Sequence, residues 1–186
     1  MGIITKIFSG IKSVGKTNSS TKQNDSIEDY KQQLLEILKS DNYVYNIKTV
    51  QKLIYTIGMS ETYSILCNNK TDNNIYNFWG VACEFYDIFK NIEDFNFKDF
   101  FLNSITTPKD MLVIAAYLKF TKGRNNKVYP RSINRAIREA FDKFDSKQLE
   151  NCKDYKNIRI RDIICKVHPK PTANNINGIE HILYKK

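Results

Sequence analysis

The amino-acid sequence predicts an all-α fold of helical hairpins stacked side by side. Three observations lead there. Apolar residues recur three and four positions apart through most of the chain beyond residue 25, strand-type alternation is weak throughout, and helix-opening residues stand ahead of several periodic segments. With 41% hydrophobic and 12% aromatic residues among 186, the chain carries enough apolar mass for one cored domain.

Residues 1–25 are set apart as a flexible N-terminal segment, because the polar run TNSSTKQNDS offers almost nothing to bury. The helical domain is 26–186. Its first helix covers 26–40: Ser26 caps it, Asp29 sits three residues on, and Tyr30, Leu34, Leu35 and Leu38 share an apolar face. A second helix follows over 47–59 on Val50, Leu53, Ile54 and Ile57, and a third, capped by Ser60, over 61–68. The stretch 74–92 forms a longer aromatic-rich helix. Thr107-Pro108 opens the next in cap-then-proline order, and it runs to Phe120 through Met111, Leu112, Ala115, Ala116 and Leu118. Pro130 begins a helix to Phe144 with Ile133, Ala136, Ile137, Ala140 and Phe141 on one face. Short helices over 146–152 and 159–167 complete the set, and Pro169 and Pro171 stop the last. Phe78, Trp79, Phe85, Tyr86 and Phe89 are expected in the core.

Several function classes drop out. No apolar run reaches the roughly 18 residues of a membrane span, and no signal-peptide pattern opens the chain, so a cytoplasmic protein is expected. The four cysteines, Cys67, Cys83, Cys152 and Cys165, form no CxxC pair and are expected to be reduced thiols, most of them buried. Cys152, Cys165 and His168 lack a fourth ligand for zinc, and neither His168 nor His181 belongs to an HExxH pair. Gly10 to Thr17, GIKSVGKT, fits the P-loop expression, yet no buried strand precedes it and no good helix follows. There is no GxSxG elbow and no evident pair of catalytic acids. The expectation is a non-enzyme without catalytic residues, metal or cofactor. Residues 3–16 place Ile3, Ile4, Ile7, Phe8, Ile11 and Val14 on one helical side with Lys6, Lys12 and Lys16, a pattern suited to touching a membrane surface. Met1-Gly2 opens a myristoylation pattern that Lys6 breaks.

Charge is spread unevenly. The formal net charge is +9; residues 1–100 hold 11 lysines against 12 acids, and residues 101–186 hold 18 lysines and arginines against 8 acids. All six arginines fall between Arg124 and Arg161. Guanidinium groups contact phosphate bidentately and stack on bases, so a basic half beside a near-neutral one points to a polyanion, most simply nucleic acid. The bland reading is a solvated charged face.

The arginine-bearing segment carries two spaced motifs. The first is Arg131-Ser132-Ile133-Asn134-Arg135-Ala136-Ile137, with Phe141 in an aromatic position. The second runs from Ile158 through Arg159, Ile160, Arg161, Asp162, Ile163, Ile164, Cys165, Lys166, Val167, His168, Pro169 and Lys170 to Pro171. Together they resemble the central part of the TROVE module of Ro-type ribonucleoprotein autoantigens, over about a third of the chain. The resemblance implies HEAT-like helical repeats, which in that family close into a ring holding single-stranded RNA ends in its hole and small structured RNAs on its basic outer surface. Here Ile158-Arg159-Ile160 replaces the family's Trp-Ser-His, and neither the ring-closing repeats nor the von Willebrand-type domain follows. An open partial solenoid is therefore expected rather than a closed ring.

The expected function is non-catalytic RNA binding, as a ribonucleoprotein component, through a basic helical face at about 124–171. The candidate contacts are Lys122, Arg124, Arg131, Arg135, Arg138, Arg159, Arg161 and Lys170. Single-stranded or small structured non-coding RNA is the expected partner, and nothing points to DNA. The alternative is a helical scaffold for a protein partner with no RNA binding. On helix 159–167, Asp162 is expected to cap or to pair with a neighbouring arginine, and His168 to close the C-terminus.

Overall fold

The computed structural model describes residues 26–40, 46–123 and 128–167. Among these residues the fold is all-α, built of nine helices with no strand. The P-loop-like stretch and the amphipathic residues 3–16 lie outside the described residues, as do Arg124, His168 and Lys170.

Helix α1 (Ile27–Lys39) opens on a capping box in which the Asp29 N–H donates to Ser26 Oγ at 3.3 Å and Asp29 Oδ2 accepts from the Ser26 N–H at 2.8 Å. It buries Leu34 and Leu38. Asn46 caps α2 (Ile47–Ile57), whose Val50, Leu53, Ile54 and Ile57 all reach the core. Gly58, at φ 87° and ψ 173°, ends α2 and starts α3 (Met59–Asn69) in a single residue. That backbone region is open to glycine alone, and it lets α3 begin ahead of the Ser60 cap the sequence suggests. Thr62 Oγ1 then donates to the Gly58 carbonyl at 2.6 Å.

Helix α4 (Ile75–Phe89) is buried at nearly every position from Ile75 to Phe85. Helix α5 (Phe97–Ser104) has no counterpart in the sequence reading; Asn96 caps it by accepting the Asp99 N–H at 3.1 Å. Helix α6 (Pro108–Phe120) starts on the Thr107/Asp110 capping box and is buried continuously from Asp110 to Leu118. Helix α7 (Arg131–Phe141) turns Ile133, Ala136, Ile137 and Ala140 inward, as its periodicity predicts. A single turn, α8 (Ser146–Glu150), is capped by Asp145. Between it and α9 (Ile160–Val167), Tyr155 and Ile158 exchange backbone hydrogen bonds of 2.9 and 3.1 Å across a two-residue turn. Lys156 and Asn157 at its centre both adopt left-handed conformations, as a primed turn demands.

Packing follows a regular pattern. Helix α4 packs on α2 and on α6, α5 packs on α7, and α9 lies against both α6 and α7. Trp79 and Glu84 of α4 meet Asp110 and Tyr117 of α6, so contacts advance together and the two helices run in the same direction. Lys98 and Leu102 of α5 meet Glu139 and Lys143 in the same sense. The core is aromatic: Phe85 lies edge-on to Phe95 and Phe100, and Trp79 stacks on Phe101 with centroids 5.8 Å apart. Phe78, Trp79 and Phe85 are fully buried, whereas Tyr86 and Phe89 are half-buried against the core.

The cysteines depart from expectation. All four are free thiols, but only Cys83 is buried; Cys152 is half-buried, and Cys67 and Cys165 are exposed. Cys67 and Cys165 each sit one residue past the last inward side chain of a turn, after Leu66 and Ile164, and so fall off the apolar stripe.

Candidate nucleic-acid interface

On α7, spacings of four and three put Arg131, Arg135 and Arg138 on one flank. Arg131 and Arg135 are exposed, a turn apart. Glu139, the acid one turn beyond Arg135, instead accepts from Lys98 of α5 at 3.0 Å. Arg138 is different. It is half-buried, and its Nη2 donates to the Val167 carbonyl at 3.1 Å, placing a cation on the last turn of α9 where the helix dipole favours one. Its Nε and the Asn134 Oδ1 are buried without a partner among the described residues.

At the other end of α9 the expected role of Asp162 is found. Its Oδ2 accepts the Arg159 N–H at 3.2 Å, and its carboxylate pairs with the Arg159 guanidinium at 3.3 Å. Asp162 thereby offsets the unfavourable placement of arginine at a helix N-terminus. Arg161 is half-buried on the same turn.

Lys122 is committed to the interior. Its Nζ contacts Glu84 Oε1 at 2.9 Å and also Asp87 Oδ2. Glu84 is wholly buried and further accepts from the Tyr117 hydroxyl and from Gln51 Nε2, the latter at 2.5 Å. Burial pulls the Lys122 ammonium down, but its hydrogen bonds to Asp87 and Glu84 outweigh that and hold it above the ordinary lysine value. Beside it, burial pushes the Cys83 thiol well up, so it stays protonated.

Of the eight basic residues the sequence singles out, Arg131 and Arg135 therefore present open guanidinium groups side by side. Lys122, Arg138 and Arg159 each hold a fold contact, and Arg124 and Lys170 lie outside the described residues. The sequence reading passed over four lysines set against aromatic rings around α6, although Lys119-Phe120 and Tyr155-Lys156 are adjacent in the chain. Among the described residues, no group of three or more His, Cys, Asp or Glu side chains could hold a metal ion, and no helix is long and apolar enough to cross a membrane. No family model, no curated protein and no solved structure matches this chain.

Proposed function

We propose that this chain is a non-catalytic RNA-binding module, a ribonucleoprotein component whose helices stack as HEAT-like hairpins in an open, TROVE-type partial solenoid. The order of packing supports the architecture. Helices α4 and α6 run in one direction and pack together, and α5 and α7 do the same, which is the relation between successive hairpins in a repeat stack. The four free thiols suit a reducing, cytoplasmic setting.

The observation that carries the RNA reading is the Arg131–Arg135 pair, two exposed guanidinium groups one turn apart with the nearest helical acid drawn off by Lys98. In this reading Lys122, Arg138 and Arg159 brace the fold, and phosphate contact falls to Arg131 and Arg135, with Arg161 a further candidate on α9. The test is fluorescence anisotropy of a single-stranded RNA oligomer over a range of salt, comparing wild type with the double variant Arg131→Glu, Arg135→Glu. The double variant should lose affinity, and the slope of log affinity against log salt should flatten by about 1.4, at about 0.7 per phosphate contact. Equal binding by a folded double variant would remove this face from the interface. Absence of RNA binding by the wild type would favour the protein-scaffold alternative.

A further inference from the structure

Helix α6 is buried to Leu118 and then ends on Phe120, whose side chain is 50% exposed. Two depressions flank this end of the helix and share the 155–158 turn as a wall. The smaller is lined by Tyr76, Phe120, Tyr155 and Lys156; the larger, about 240 Å³, is lined by Lys119, Tyr129, Asn157, Asp162 and Lys166. Even the larger is below the size of a drug-sized pocket and suits one flat ring.

The side chains around them repeat one arrangement. Lys109 lies 5.0 Å from the Tyr76 ring centroid, Lys119 5.2 Å from Phe120, Lys166 5.2 Å from Tyr129 and Lys156 5.3 Å from Tyr155. Tyr76 and Tyr155 stack on each other at 5.1 Å. The lone carboxylate among the lining side chains, Asp162, is already paired with Arg159. Tyr129 is buried and Tyr76 and Tyr155 are half-buried, so Phe120 is the ring open to a ligand. An exposed ring beside ammonium groups fits flat π-faces joined by anions, the chemistry of single-stranded nucleic acid.

We infer that the surface formed by the end of α6 and the 155–158 turn is a base-stacking subsite for single-stranded RNA, with Phe120 stacking a base and Lys109, Lys119, Lys156 and Lys166 neutralising the neighbouring phosphates. The inference rests on the RNA reading above and adds to it a second kind of contact, one that senses bases rather than charge.

The test uses the full chain and two labelled probes of equal length: an oligouridylate and an abasic ribose-phosphate oligomer. Phe120→Ala should weaken oligouridylate binding about 5- to 150-fold and leave the abasic probe unchanged, since stacking is lost and charge is not. Phe120→Trp should restore oligouridylate affinity, with indole emission quenched by that probe alone. Equal weakening of both probes, or of neither, would overturn the subsite. If Arg131→Glu, Arg135→Glu abolishes binding while Phe120→Ala leaves affinity for both probes unchanged, the RNA reading stands and this inference fails. If the wild type binds neither probe, both fall. Phe120 is half in solvent, so circular dichroism should show Phe120→Ala folded; a folded variant with intact RNA affinity would leave the ring to a protein partner and overturn the proposal.

Discussion

The two ends of the α4–α6 pair solve the same problem with different reach. At the start of α6, the wholly buried Asp110 accepts from the Trp79 indole N–H at 2.6 Å, from the Thr106 and Thr107 N–H groups at 2.9 and 2.8 Å, and pairs with Lys70 at 3.1 Å. At its close, the equally buried Glu84 of α4 accepts from Tyr117, Gln51 and Lys122. Both carboxylates are anchored by a lysine and both tie α4 to α6. Asp110 reaches α4 through Trp79, 31 positions away, but takes its backbone hydrogen bonds from Thr106 and Thr107, within four positions, whereas Gln51, Tyr117 and Lys122 each lie 33 or more positions from Glu84. A buried acid that also caps a helix is written into the local sequence; one that bridges three elements is not.

Removing each acid in turn should break that symmetry. Asp110→Ala strips the cap of α6, leaves the Trp79 N–H and two backbone N–H groups without an acceptor, and abandons the nearly buried Lys70. It should cost about 3–5 kcal/mol in urea or thermal unfolding. Glu84→Ala should cost less, about 1–3 kcal/mol, because Lys122 keeps Asp87 and reaches solvent. A ranking in the opposite order would show that the long-range cluster, not the cap, secures the pair.

A smaller effect sharpens the account of reach. Gln51→Ala removes the one link from Glu84 to α2 and should cost about 1 kcal/mol. A double-mutant cycle combining Gln51→Ala with Asp110→Ala should show additive losses, since Gln51 and Asp110 sit at opposite ends of the pair. The smallest effect is one of pH. The Lys122 ammonium is held above its ordinary value of 10.5, so its contribution is complete below that pH and lost as pH climbs through the raised value. Wild-type stability should therefore fall more steeply above about pH 10.5 than that of Lys122→Met. Parallel curves would mean that Lys122 contributes no charge-dependent stability.

The same contrast explains what could be read from the sequence. Ser26 with Asp29 and Thr107-Pro108 with Asp110 announce their helices because both partners of each cap are near neighbours. The arginine-to-acid pairing at Arg159 and Asp162 was legible for that reason too. Helix α5 escaped because eight residues show its apolar period only once, although Phe97, Phe100 and Phe101 stand at helical spacing and Asn96 and Asp99 carry the cap signal. The ion pair of Lys122 with Glu84 left no mark in the sequence, because a sequence shows a charge and not its partner, and Glu84 lies 38 positions away. Arg138 was placed correctly on its helix face, but its stem bends to a carbonyl of α9, a tertiary contact with no local mark.

One consequence of the Asp110 cluster concerns how unfolding can be watched. The chain has a single tryptophan, and it is the residue whose indole donates to Asp110 and stacks on Phe101. Its emission is a reporter confined to the first turn of α6, while far-ultraviolet circular dichroism averages every helix. Helices that differ in local stability can melt one after another. Superimposable denaturation curves from the two signals would mark the helices as one cooperative unit, and an emission change that lags the loss of ellipticity would make the α4–α6 pair the last part of the fold to let go.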